Sequence, residues 1–222
     1  MSSTPSASSS ALSKIFPAPR PTPSSTAPFT DATQAIFAIF RDVSAGDVRQ
    51  EARQIHGNAG EVLPVGVSAL IEALGPWSSS DVVLDIGADA KACIGLEVRS
   101  KLFSRGDCCI RKKTHVFPKL KKVSMLAGDV RVAALSPKAP FQEAAVVFAN
   151  SFLFEEGSKL AIARELCAMA KVRIVAVSCL FCPRHRSSCA RPFCSRWVFA
   201  RKIDVPSSWK SKMHDIYVNT RK

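Results

Sequence analysis

The sequence predicts an α/β fold built on a mostly parallel sheet, and three observations carry that prediction. Short apolar runs bounded by polar residues or Gly recur at residues 82–87, 93–98, 144–149 and 172–177. Such runs read as strands buried on both faces. A helical pattern from Glu155 to Met169 separates the last two, and strands alternating with helices imply parallel pairing. Polar residues (Asp85, Glu97, Asp129 and Asn150) close successive runs, at the carboxyl ends where open sheets of this kind bind ligands.

Residues 1–30 of the 222 are dominated by Ser, Pro, Thr and Ala. They bury too little apolar surface to offset chain entropy, and are expected to be a disordered tail. A single folded domain is expected over 31–222, opening with short helices: Ala35, Ile36, Ile39 and Phe40 recur at helical spacing, and Val48–Ile55 continues the pattern. Pro64 opens a further helix with Val67, Leu70, Ile71 and Leu74 on one face, and Gly75-Pro76 stops it. A strand over Val123–Ala127 precedes the 144–149 run. Glu155 and Glu156 suit the positive amino-terminal end of the helix that follows. Trp197–Ile203 and Ile216–Thr220 are expected as closing strands.

Hydrophobic residues make up 47% of the chain, enough for a sizeable core, which excludes a wholly disordered protein. No apolar run approaches the ~18 residues that span a bilayer. The amino terminus lacks the basic and apolar regions of a secretory signal. Its Ser-rich, acid-free first thirty residues share features with transit peptides but carry only Lys14 and Arg20 as cations. The eight cysteines are then expected to be thiols or metal ligands rather than disulfides. The net charge of +13 is lopsided. Residues 1–98 hold 6 basic and 10 acidic side chains, and residues 99–222 hold 25 and 8. Such asymmetry points to a polyanionic partner.

Asp85-Ile86-Gly87 closing a strand is the start of a nucleotide-type turn, with Gly allowing close backbone approach. Glu97 stands where an acid accepts hydrogen bonds from ribose hydroxyls. Asp129, after the third strand, is placed to hold an adenine amine.

These residues resemble the disruptor-of-telomeric-silencing family, the histone H3 lysine-79 methyltransferases that use S-adenosylmethionine without a SET domain. The resemblance runs with gaps from about Asn58 to Thr220. Gly60-Glu61 lies in a segment similar to the family's Tyr-Gly-Glu-Thr, with the Tyr replaced. Asp81–Gly87 resembles its cofactor strand, Gly95-Leu96-Glu97 the turn at the ribose, and Gly128-Asp129-Val130 its Gly-Asp-Phe at adenine. Val147–Phe154 resembles Phe-Val-Asn-Asn-Phe-Ala-Phe. Ser208-Trp209 and Tyr217-Val218-Asn219-Thr220 resemble the Ser-Trp and Tyr-Leu-His-Thr of the substrate channel. The resemblance implies a Rossmann-like methyltransferase sheet and S-adenosylmethionine as cofactor, held by Gly60, Glu61, Asp85, Gly87, Glu97, Asp129 and Val130. It further implies an aromatic lysine channel lined by Phe152, Trp209 and Tyr217, with Asn150 and Ser151 at its floor. A nucleosomal histone H3 substrate and a nuclear address follow from it.

One departure stands out. Family members follow the first strand with a Gly-x-Gly loop and a helix. Here only Ala88–Ala92 separate Gly87 from Cys93, whereas a helical crossover needs at least ~10–12 residues. The first β-α-β unit is therefore truncated. Either cofactor binding is lost or the sequence skips a segment, and the two strands are expected to pair antiparallel or one of them to leave the sheet.

Cys179, Cys182, His185, Cys189 and Cys194 pack five soft ligands into sixteen residues. Zinc would take four of them, although the gaps match no standard finger, and the competing reading is free thiols in a basic loop. Basic runs at Arg111–Lys113, Lys119–Lys122 and Arg184–Arg186 suit phosphate contacts with DNA. The rival to a histone-lysine methyltransferase is a non-catalytic basic module, binding nucleic acid or zinc on a decayed methyltransferase scaffold. A nucleic-acid base methyltransferase is disfavoured, because Asn150 is followed by Ser151-Phe152 rather than prolines.

Overall fold

The computed structural model describes Ala38 and residues 62–86, 93–182, 189–207 and 210–222. The expected tail over 1–30 and, Ala38 apart, the short helices of 31–55 lie outside them. Seven strands form one sheet: β1 (Val82–Ile86), β2 (Cys93–Glu97), β3 (Ser124–Ala127), β4 (Ala144–Ala149), β5 (Ile174–Val177), β6 (Trp197–Ser207) and β7 (Lys210–Arg221). The helices are α1 (Pro64–Ala73), α2 (Ser100–Lys113), α3 (Glu156–Ala168) and the short α4 (Pro192–Arg196). The strand order is β3-β2-β1-β4-β5-β7-β6. β1 to β5 pair in parallel, and β7 runs antiparallel to both β5 and β6. The run 3-2-1-4-5 is that of doubly wound sheets, whose switch point lies between β1 and β4.

β1 and β2 are parallel neighbours, with Val83 opposite Cys93 and Ile86 opposite Leu96, which corrects the expectation that they pair antiparallel or that one of them leaves the sheet. From Ile86 to Cys93 there are seven Cα steps, a reach of roughly 23–25 Å at full extension. Returning along three strand residues takes about 10 Å. The link can therefore close a parallel pair, but it is too short to carry a helix across.

Alternation along the strands sorts the core into two faces. Leu84, Ile86, Ile94, Leu96, Val147, Ala149, Val175 and Val177 join Ile162 and Leu166 of α3 in the larger cluster. Val146, Ile174, Ala176, Ile216 and Val218 join Leu70 and Leu74 of α1 in the smaller. α1 stops where Gly75-Pro76 predicts. It lies so close to β6 that a Cβ on Gly66 would stand 2.9 Å from the Pro206 carbonyl oxygen.

α3 buries Ala161, Ile162, Glu165 and Leu166, a helical stripe containing one acid. Burial alone would raise the Glu165 carboxyl. The Ser136 N–H and hydroxyl, both 3.0 Å from Oε2, outweigh it and hold the group below its ordinary value of 4.5. A depressed carboxyl stabilises the fold above its ordinary value, and that contribution is lost as pH falls through the folded value. Glu165→Gln should therefore flatten the acid limb of a stability-against-pH curve. An unchanged acid limb would remove this role.

Candidate active site at the carboxyl edge of the sheet

Of the residues expected to bind cofactor, Asp85, Glu97, Asp129 and Val130 are described, and they lie at or just beyond the carboxyl ends of β1, β2 and β3. Asp85 is buried within β1, opposite Gly95 on one side and Phe148 on the other. Glu97 ends β2 and is 8% exposed. Its carboxylate accepts hydrogen bonds from the Arg99 N–H (2.8 Å) and Nε (3.0 Å) at Oε1, and from Nη2 (3.3 Å) at Oε2. A carboxylate has about four acceptor sites, so Oε2 keeps capacity for one further donor, such as a ribose hydroxyl.

Asp129 follows β3 and is held more completely. The Arg131 N–H and Nε reach Oδ1 at 2.8 and 3.1 Å, and Nε and Nη2 reach Oδ2 at 2.8 and 2.5 Å. Arg131 Nη1 also lies 3.6 Å from Glu155 at the start of α3. Hydrogen bonding to Asp129 raises the Arg131 pKa above its ordinary value. The same three kinds of N–H group serve Asp129 as serve Glu97, with Nε shared between both oxygens, so an adenine amine would compete with Nε for an acceptor position. Arg131 is a partly exposed side chain. Val130 is buried in the larger core cluster.

The β4 end presents Asn150, Ser151 and Phe152 beside the switch point. Ser151 is fully buried, its hydroxyl 3.3 Å from Cys179 Sγ. The Phe152 N–H donates to Ser178 Oγ at 2.8 Å. The Phe152 ring is 46% exposed and meets the buried His214 edge-on at 4.9 Å. Phe154, in contrast, packs against the core. His214 Nε2 is 3.2 Å from the Ser178 carbonyl oxygen.

Tyr217 sits opposite Val177, at the end of β5. Its hydroxyl donates to Asp215 Oδ2 at 3.3 Å. Burial, then the Asp215 charge, push its pKa up, so the phenol stays protonated and serves as a donor rather than a base. His214 and Tyr217 are three residues apart on one strand and point to opposite faces. Phe152 thus packs on His214, while Tyr217 lies on the opposite face of β7 with Asp215 and Phe199. Gly60, Glu61, Gly87 and Trp209 lie outside the described residues.

No protein family matches the chain, and no curated protein does. Among solved structures it is similar to WbdD, described in one of its structures as a bifunctional kinase-methyltransferase. Two such structures align at 13–14% identity and a TM-score of 0.40, over 69% of this chain and 37% of WbdD. The chain thus spans little more than a third of that protein. The fold assignment rests on the sheet order and register above.

Of the five expected metal ligands, three converge. The sulfurs of Cys182, Cys189 and Cys194 lie within 4.8 Å of one another. Burial, with the neighbouring thiols, pushes Cys194 up to about 12, whereas the Arg191 N–H helps hold Cys189 below its ordinary value. Cys179 is drawn instead to Ser151, a correction to the five-residue grouping. His185 lies outside the described residues.

Sequence reasoning missed Arg99, Arg131, Ser178 and His214. A repeated acid-x-Arg after β2 and β3 was the available signal for the two arginines. Of the basic runs, Arg184–Arg186 lies outside the described residues, and the other two sit elsewhere. α2 starts at the carboxyl end of β2 and leads back to the start of β3, so Arg111–Lys113 and Lys119–Lys122 lie near the opposite edge of the sheet. Among them Arg111, Lys112, Lys119, Lys121 and Lys122 are exposed.

Proposed function

We propose that this chain is an S-adenosylmethionine-dependent methyltransferase acting on a lysine of nucleosomal histone H3, of the lysine-79 type, in the nucleus. The observation that carries the reading is the acid at the end of β2, Glu97, on a doubly wound sheet whose β4 end carries Asn150-Ser151-Phe152 beside the switch point. S-adenosylmethionine would supply a methyl group on a sulfonium, transferred in line to a neutral amine. Glu97 has acceptor capacity for a ribose hydroxyl. Buried Ser151 and half-exposed Phe152 shape the floor and one wall for an aliphatic stem. Tyr217 offers a protonated hydroxyl at the rim. Holding the reactants in near-attack geometry supplies much of the rate in such transfers.

The test separates cofactor from substrate roles. Glu97→Ala should weaken cofactor binding about tenfold, the effect of losing roughly 1.4 kcal/mol. Tyr217→Ala should leave cofactor binding within about twofold and lower methyl transfer to nucleosomes about tenfold or more. Equal loss of cofactor binding in both folded variants would reject the division.

The close pairing of Asp129 with Arg131 is the observation behind the second reading, a basic module that binds nucleic acid on a methyltransferase-like scaffold. Arg131→Ala distinguishes the two. On the methyltransferase reading it frees Asp129 and raises cofactor affinity about three- to tenfold. On the module reading cofactor affinity does not respond, while DNA binding without cofactor persists and weakens steeply with salt.

A further inference from the structure

We propose that Cys182, Cys189 and Cys194 form a zinc centre that ties together the two arms of the connection between β5 and β6. Cys182 lies five residues beyond the end of β5, on the outgoing arm. Cys194 lies on α4, on the returning arm just before β6, and Cys189 stands between them in sequence. Cys182 and Cys194 are buried and Cys189 is half-buried.

The spacing of the sulfurs discriminates between a metal and a disulfide. The Cys182 and Cys189 sulfurs are 3.8 Å apart. Four thiolates at ~2.3 Å around a tetrahedral ion lie about 3.8 Å from one another along each edge. A disulfide requires about 2.05 Å and would use only two of the three. A third sulfur within 4.8 Å of both completes one face of such a tetrahedron with little adjustment. On binding, each thiol loses its proton to solvent and its sulfur forms a bond to zinc. The three thiolates and the dication leave one net negative charge, and Arg191 lies beside Cys189 to offset it. Soft thiolates select zinc over the hard divalent ions. These sulfurs supply three of the four tetrahedral positions.

The surroundings show what the centre holds. Phe181 and Phe193, each next to a ligand in sequence, pack edge-on at 5.3 Å within the main core. Ser178 and Cys179, only a few residues before Cys182, carry the contacts to Phe152, His214 and Ser151. A metal at this point therefore fixes the segment that forms one wall of the candidate site. The centre itself does not depend on the methyltransferase reading, and its test does not use activity.

The full chain, purified under reducing conditions without added metal or chelator, should carry about one zinc per chain by plasma mass spectrometry. Cys189→Ser, which changes a half-buried residue, should lose the zinc and keep the circular dichroism of the parent. Cys108→Ser and Cys179→Ser should retain it. Cobalt loaded in place of zinc should show thiolate-to-cobalt charge-transfer absorption, absent in Cys189→Ser. A chelator should lower the thermal midpoint of the parent and leave that of Cys189→Ser unchanged. The proposal is overturned by parent protein that holds under about 0.1 equivalent of zinc even after loading, by zinc retained at full level in Cys189→Ser, or by a Cys182–Cys189 disulfide in the freshly purified chain.

Discussion

Trp197→Ala should destabilise the protein by about 3–5 kcal/mol, the usual cost of emptying a large buried aromatic site. Trp197 opens β6 directly after α4 and is 0% exposed. Its ring stacks on Phe193 at 6.2 Å and 25°, and the Arg221 guanidinium lies 5.5 Å above it. The substitution removes core volume, the stack and the cation contact together. Domains are stable by only about 5–15 kcal/mol, so much of the margin would go. At roughly 2–4 °C per kcal/mol for a chain of this size, the midpoint should fall by about 6–20 °C. Trp197→Phe should cost well under half as much. It keeps an aromatic face on Phe193, and the buried Nε1 it removes has no hydrogen-bond partner among the described residues. Circular dichroism or calorimetry should follow the transition, because Trp77 and Trp209 confuse a fluorescence signal. A midpoint within about 2 °C of the parent for Trp197→Ala would show that this corner of the core is not cooperative with the sheet.

How far such features were legible depends on what each segment buries. β1, β2, β4 and β5 are covered on both faces, so their sequences are nearly continuous apolar runs, and periodicity finds them to within two residues. α3 shows because its buried stripe recurs at helical spacing. α2 did not show: of Ser100–Lys113 only Ile110 is buried, and a helix with so narrow a contact leaves almost no apolar pattern. β6 and β7 run longer than Trp197–Ile203 and Ile216–Thr220 predict. The additional residues pair mainly with each other in a hairpin, from Asp204 opposite Asp215 to Ser207 opposite Lys210. Pairing of that kind is satisfied by backbone bonds and asks little of side-chain hydropathy.

The site was legible as positions and not as contacts. Glu97, Asp129 and Ser151 stand at or just beyond strand ends where the sequence places them, and Tyr217 lies within β7 opposite the end of β5. What occupies each carboxylate depends on an arginine two residues on, and chain spacing does not fix where its guanidinium turns. Phe152 and Tyr217 were expected in one channel because the family resemblance implies it. Strand parity sets His214, which Phe152 meets, and Tyr217 on opposite faces, a relation invisible until β7 is known to include both. Reading Cys179 with the other cysteines failed for a similar reason: proximity in sequence ignored a buried serine hydroxyl across the β4–β5 edge.

The largest functional change should come from lengthening the connection between β1 and β2. The chain as written should bind S-adenosylmethionine weakly. In parallel sheets of this order, the turn after the first strand and the helix amino terminus behind it present backbone N–H groups to the ligand. Residues 87–92 are too few to provide both, given that Ile86 and Cys93 must also close a parallel pair. On the proposed reading Glu97 would still meet ribose and some affinity is expected, while so short a link leaves too little chain for the turn and helix that would align the methyl donor. Inserting a Gly-x-Gly turn and a two- to three-turn helix after Ala88 should supply two or three net hydrogen bonds of about 1 kcal/mol each. Affinity should then rise roughly 30- to 150-fold. Methyl transfer to nucleosomes should rise by more, because alignment improves as well as occupancy. Calorimetric titration of the parent and the insertion variant reads the first effect directly. Tight binding by the parent, or an insertion variant that folds and binds no better, would show that the short link is no defect and that the cofactor, if used, is cradled by another segment.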